Sequence, residues 1–276
     1  MKRGTRLCWP MTVLLWLSGC AVLSMSSPSV ERSSCTCDSG LFQVSHALEA
    51  LAQQSPCPHH GTVFVLDGAG GFGVASQTIG NTIAEMKMPL EIRIFYWTHG
   101  YCRVFSDQMH GAHVRRKGRQ LAELVLNCRH ETPGQPIYLL AHSAGCDVAL
   151  IAAENLPPNT LERIILLAPA VSRKRDLRRA LRSSCQGIDA FISSHDWCFL
   201  GLVTMLTGTT DRCWLTGTAG KNGFQPIVAD PEDAALYAKL RQYPWNPHLM
   251  WTGNKGGHYG SYQPGYLRVF VLPLLR

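Results

Sequence analysis

Ile137-Tyr138-Leu139-Leu140-Ala141-His142-Ser143-Ala144-Gly145 opens with four apolar residues in a row and ends with small residues around one serine. A short continuous apolar run fits a strand buried on both faces. Residues 144–154 have helical character and stop before Pro157-Pro158, because a residue preceding proline is pushed out of helical geometry. A strand that passes straight into a helix needs a tight turn. Ala141, Ala144 and Gly145 keep the flanks of that turn small, and Ser143 then stands at its apex with the hydroxyl aimed away from the sheet. The plainer alternative is that Ser143 only caps the helix, a place serine favours.

Upstream, residues 62–66 (Thr-Val-Phe-Val-Leu) are a β-rich run that ends in Asp67-Gly68-Ala69-Gly70-Gly71. Helical spacing follows over 75–88, then a second strand over 91–97. Residues 114–128 form a helix with Leu121, Leu124, Val125 and Cys128 on one face. Downstream the pattern predicts strands over 163–167, 188–193 and 248–251, and a closing helix over 266–275. Strands alternating with helices predict an α/β domain with a mostly parallel sheet covered on both faces. The stretch 199–243 fits this alternation less well. It starts apolar and turns rich in Gly and Thr, and two readings stand, a lid over the site or a packed helix with a loop.

The chain has 276 residues, 46% hydrophobic and 16% charged, enough for one sizeable core. Three of the positive charges behind the net +7 sit at Lys2, Arg3 and Arg6. The remainder is only mildly basic, with no zinc-finger spacing and no aromatic-interleaved basic stretch, so nucleic acid is not an expected partner. Two basic runs, 115–119 and 173–179, read either as contacts for anionic head groups or as solvated helix faces.

The strand–turn–helix context with Ala141-His142-Ser143-Ala144-Gly145 resembles the bacterial serine esterases and lipases of the α/β-hydrolase superfamily that carry A-H-S-x-G. The resemblance spans residues 60–275. It implies an α/β-hydrolase fold, and Ser143 as nucleophile followed in the chain by an acid and a histidine. His258, in the Gly-rich run Gly253-Asn254-Lys255-Gly256-Gly257-His258-Tyr259-Gly260, follows the last strand and is the expected base, on a loop flexible enough to swing to Ser143. His99, His110 and His113 fall where this fold builds its pocket, and His142 is expected to face away. The expected acid is Asp196, just past a strand end, with Asp211 as its rival. The resemblance also implies an oxyanion hole made by the backbone N–H groups of Ala69 and Ala144. Many members have His-Gly where this chain has Asp67-Gly68. The donors are backbone groups, so the hole survives the change, and Asp67 is left to brace the loop.

The implied activity is hydrolysis of a small-molecule or lipid carboxylic ester through an acyl-enzyme, with no cofactor and no metal. Acyl transfer to another acceptor uses the same machinery. A catalytically idle surface lipoprotein that binds a partner is the alternative of a different class. An elbow with Ser rather than Asp excludes a dehalogenase.

Residues 1–20 read as a secretory signal, with a basic start and a short apolar stretch over 7–17 broken by Pro10. That stretch is too short for a membrane span, which needs roughly 18 or more apolar residues. It ends in Leu17-Ser18-Gly19-Cys20, which resembles a bacterial lipobox. The resemblance implies cleavage before Cys20, acylation of that cysteine, and export to the cell envelope with a lipid anchor in a membrane. An ordinary signal peptide is the alternative. Residues 21–40 form a Ser-rich tether, and 41–276 the folded domain, opening with helical spacing over 41–51.

Of eleven cysteines, Cys8 would leave with the signal and Cys20 would carry lipid. An exported chain can oxidise several of the remaining nine, and an odd number leaves one free or paired between chains. Cys146, on an apolar helix start, is the expected buried thiol. Cys35-Thr36-Cys37 with Cys57, His59 and His60 lacks a standard zinc spacing and reads as disulfide or free thiol.

Overall fold

Strands form where the sequence has short apolar or β-branched runs. These are β1 (Gly61–Leu66), β2 (Leu90–Ile94), β3 (Ile137–His142), β4 (Arg163–Leu167), β5 (Ile188–Ile192) and β6 (Leu240–Pro244). All six pair in parallel, in the order β2-β1-β3-β4-β5-β6. The computed structural model describes residues 60–196 and 217–276, all within one compact unit, Ser55–Arg276. Outside the described residues lie the expected signal segment with Cys20, the tether, the 41–51 helix, Cys35, Cys37, Cys57, His59, Cys198, Asp211, Cys213 and the 199–216 part of the excursion.

The side-chain alternation of a strand divides the core in two. Phe64, Leu66, Leu139, Ala141, Ile164 and Leu166 face one layer. There they pack against α3 (Gly111–Glu131), α4 (Gly145–Glu154) and α5 (Arg178–Ser183). Val63, Val65, Tyr138, Leu140, Ile165 and Leu167 face the other, under α1 (Val74–Glu85) and a C-terminal helical run from Pro264 to Leu274. Both faces of the central strands are therefore covered, which is why these strands read as unbroken apolar runs. The long α3 approaches α4 closely at Gly118, where a Cβ would lie 2.4 Å from the Ile151 side chain.

This all-parallel sheet, with β3 delivering Ser143 into a strand–helix turn, is the α/β-hydrolase fold. Two departures from the expected pattern have physical reasons. The sixth strand is Leu240–Pro244, and residues 248–251 instead lie in a 3-10 turn, Pro247–Thr252. Pro247 suits a first helical position, and Asn246 caps the turn by accepting from the His248 N–H at 3.1 Å. β6 is an edge strand, so its Arg-Gln-Tyr-Pro composition lacks the apolar run that marks a central strand. The described part of the excursion, from residue 217 on, joins the sheet. Thr218 bridges to Ser172, Ala219–Asn222 makes a turn of helix (α6), and α7 (Pro231–Tyr237) leads into β6.

Two of the five basic residues in the 173–179 run form ion pairs among the described residues. Arg175 meets Asp147 and Glu154, and Arg178 meets Asp176 and Asp233. In the 115–119 run Arg116 reaches His113, and Lys117 sits over the Phe95 ring.

Candidate active site

β3 ends at His142, and Ser143 takes a left-handed backbone, φ 53°. A non-glycine residue there carries about 1–3 kcal/mol of strain and needs surrounding structure to hold it. Three backbone hydrogen bonds do so. The Ser143 N–H donates to Leu167 O at 2.9 Å, and the Ser143 carbonyl accepts from Cys146 N at 3.2 Å and Ala170 N at 3.1 Å. The turn also demands small neighbours. A Cβ on Gly145 would lie 2.3 Å from the Asp67 carbonyl, and one on Gly68 would lie 3.1 Å from Ser143 Cβ. The loop leaving β1 therefore runs directly beside the serine.

Asp196 follows β5, its N–H donating to Ser193 O at 3.1 Å, and is buried. His258 arrives from the loop after the 3-10 turn. Its Nδ1 lies 2.6 Å from Asp196 Oδ2, and its Nε2 lies 2.9 Å from Ser143 Oγ. With Asp196 ionised, Nδ1 carries the proton and donates to it. The Nε2 lone pair is then left to accept from the serine hydroxyl. All three side chains are nearly shut off from solvent.

The loop that carries His258 is pinned, contrary to the swinging arm expected from its glycines. Ser193 Oγ donates to Gly256 O at 2.6 Å, Trp245 Nε1 donates to Asn254 O at 2.9 Å, and Gly256 N donates to Asn254 Oδ1 at 2.9 Å. Gly256 has φ 82° and packs against the Trp245 ring, so glycine serves geometry here rather than motion.

His142 does not face away. It is buried behind His258, with ring centroids 4.7 Å apart, and its Nε2 donates to the His258 carbonyl at 3.1 Å. Burial and the neighbouring His258 push its pKa down to about 3, so it stays neutral.

Ala144 is buried at the start of α4, and Ala69 lies in the Gly-rich loop after β1. Asp67 takes the N–H groups of Ala75 at 3.0 Å and Ser76 at 3.2 Å, and the Ser76 hydroxyl. It thus ties the loop to the first turn of α1. His99, His110 and His113 gather after β2, His99 stacked on His113 at 3.8 Å and edge-on to His110 at 5.2 Å. Beside them Asp107, on α2 (Val104–Met109), is fully buried and accepts from Gly70 N at 2.8 Å. Nothing in the sequence marked Asp107, since α2 is too short to show a period. Cys146 is a buried free thiol that donates to Ala141 O at 3.3 Å, and burial pushes its pKa up. Among the described residues no cluster of three His, Cys, Asp or Glu is arranged to hold a metal ion.

No protein-family model matches the chain, and no curated protein matches it. Solved structures similar to it include the poly(3-hydroxybutyrate) depolymerase LpqC from Bordetella parapertussis (13% identity, 81% of this chain and 86% of that one, TM-score 0.46). Others are the catalytic core domain of acetyl xylan esterase from Trichoderma reesei (12% identity, 79% and 98%, TM-score 0.41) and a cutinase from Trichoderma reesei (12% identity, 85% and 86%, TM-score 0.38).

Proposed function

We propose that this chain is a serine hydrolase that cleaves carboxylic esters through an acyl-enzyme intermediate. The observation that carries the reading is the unbroken hydrogen-bonded chain Ser143 Oγ–His258 Nε2–Asp196, at 2.9 and 2.6 Å, hung on a serine held at φ 53°. In the proposed sequence His258 Nε2 takes the Ser143 proton as Oγ bonds to the ester carbonyl carbon. The carbonyl electron pair moves onto oxygen, where the Ala69 and Ala144 N–H groups receive it. Collapse expels the alcohol, which takes the proton from His258. Water, deprotonated by the same imidazole, then releases the acid. Asp196 holds the tautomer and stabilises the imidazolium.

The substrate in this reading is a small-molecule or lipid ester. We also propose that the mature protein is exported and anchored to a membrane by acylation at Cys20, on the strength of the Leu17-Ser18-Gly19-Cys20 motif.

The test is labelling with a fluorophosphonate probe, alongside chromogenic esters of graded acyl length. Wild type should label and turn over. Ser143→Ala should do neither while keeping its circular-dichroism spectrum and melting temperature. Labelling that survives in Ser143→Ala overturns the assignment, and absent labelling of wild type favours the idle binding protein.

A further inference from the structure

The loop expected to supply one oxyanion donor is Gly68-Ala69-Gly70-Gly71. Three of its four residues are glycine, and Gly70 and Gly71 have φ of 93° and 62°, so its own sequence gives it little stiffness. A donor stabilises developing charge only if it is already aimed before the reaction. The rigidity must therefore come from outside the loop.

It comes from α2. Asp107, though on a six-residue helix whose Phe105 is exposed, is completely buried. Its Oδ2 accepts from Gly70 N at 2.8 Å, and its Oδ1 accepts from His99 N at 2.7 Å and His99 Nδ1 at 2.8 Å. The Gly70 carbonyl is held in turn by Cys102 N at 2.9 Å. Both peptide planes that flank Gly70 are thus fixed, and the first of them is joined directly to Ala69. His99 is itself fixed, by stacking on His113, whose Nε2 donates to Trp97 O at 2.6 Å.

We infer that Asp107 is a positioning residue for the oxyanion loop, and that His99 orients Asp107 through its Nδ1–H. The inference rests on the proposed hydrolase reading and assigns to it a residue outside the Ser–His–Asp chain. A fully buried carboxylate whose two oxygens accept from two backbone N–H groups and an imidazole presents no free face to substrate. Its effect reaches the reaction only through where Ala69 N–H points.

The experiment measures kcat and KM on one chromogenic ester, together with the affinity of a trifluoromethyl ketone bearing the same acyl chain. Attack of Ser143 on the ketone gives a tetrahedral alkoxide that occupies the oxyanion hole. Asp107→Asn presents an amide N–H to at least one of the donors Asp107 now accepts. It should lower kcat about 10- to 100-fold with KM within about twofold, and weaken the ketone by the factor by which kcat/KM falls. His99→Asn, whose amide can donate in place of Nδ1, should stay near wild type, whereas His99→Phe should show a smaller loss of the same kind. The His99 pair carries the test if Asp107→Asn does not fold. A raised KM at unchanged kcat, or ketone affinity untouched in Asp107→Asn, overturns the inference while Ser143→Ala remains inactive. Turnover that survives Ser143→Ala overturns the hydrolase reading and the inference with it. Identical behaviour of His99→Phe and His99→Asn removes His99 from the brace.

Discussion

His142 Nε2 donates to the backbone carbonyl of His258 at 3.1 Å, so the residue before the candidate nucleophile holds the loop that carries its candidate base. A buried donor of this kind stabilises by roughly 1 kcal/mol, and an acceptor left without it costs about 1–3 kcal/mol. His142→Phe should therefore lower both the melting temperature and kcat. The histidine also makes stability depend on pH. Its pKa of about 3 in the fold lies below the unfolded value of about 6.5. Its contribution is then complete above about pH 6.5 and is lost progressively as pH falls toward 3. Urea titrations between pH 7 and 4 should show a flatter decline for His142→Phe than for wild type. A slope as steep as that of wild type would refute this account.

A second buried group works lower on the pH scale. Asp189, on β5, is fully buried and takes hydrogen bonds from Arg163 at 2.7 Å, from Arg241 at 2.7 and 2.8 Å, and from Tyr243 at 2.8 Å. Burial raises its pKa, but Arg241, Arg163 and Tyr243 together outweigh that and leave it below the usual carboxylate value. Its contribution is thus complete above about pH 3.9 and is lost as pH falls through the folded pKa. Asp189→Ala takes the carboxylate away from Arg163 and from the partly exposed Arg241, which keep only Gln186 as a partner among the described residues, and should cost about 1–3 kcal/mol at pH 7. Chemical denaturation measures this directly, and a loss under about 1 kcal/mol would show that the pairs are solvent-screened.

Cys20 carries a prediction that belongs to the cell rather than the fold. If Leu17-Ser18-Gly19-Cys20 is a lipobox, mass spectrometry of the mature protein from its native host should find an N-terminal acylated Cys20. Cys20→Ala should move the protein out of the membrane fraction. An unmodified Cys20 in a mature N-terminal peptide would refute the anchor.

The central strands and the elbow were legible because double-sided burial writes itself as continuous apolar sequence. Residues 163–167 are a strand in both the pattern and the structure. β6 was not legible, because an edge strand has one face to spare for polar residues, while Leu249-Met250-Trp251 nearby offered an apolar run that became a 3-10 turn. Around the site, Ser143 and His258 stood out by their glycine-rich and small-residue settings. Three further features left no local signal. The depth of His142, the pinning of the His258 loop and the burial of Asp107 all depend on contacts between segments distant in the chain, such as Gly70 with Asp107.

The last prediction separates Asp196 from Asp211. Asp196 leaves β5, so the sheet fixes its place relative to β3 and Ser143, and its Oδ2 lies 2.6 Å from His258 Nδ1. A carboxylate in that position selects the tautomer whose Nε2 lone pair faces the serine. An asparagine keeps the shape but offers an N–H or a neutral oxygen in its place, which removes the selection. Loss of the tautomer costs on the order of 10⁴ in kcat, whereas groups that only bind the ester should be unaffected. Asp196→Asn should therefore reduce kcat by roughly that factor with KM within about twofold. Asp211→Asn should stay near wild type on the same chromogenic ester. The reverse pattern, an inactive Asp211→Asn beside an active Asp196→Asn, would mean that another carboxylate orients His258 during turnover.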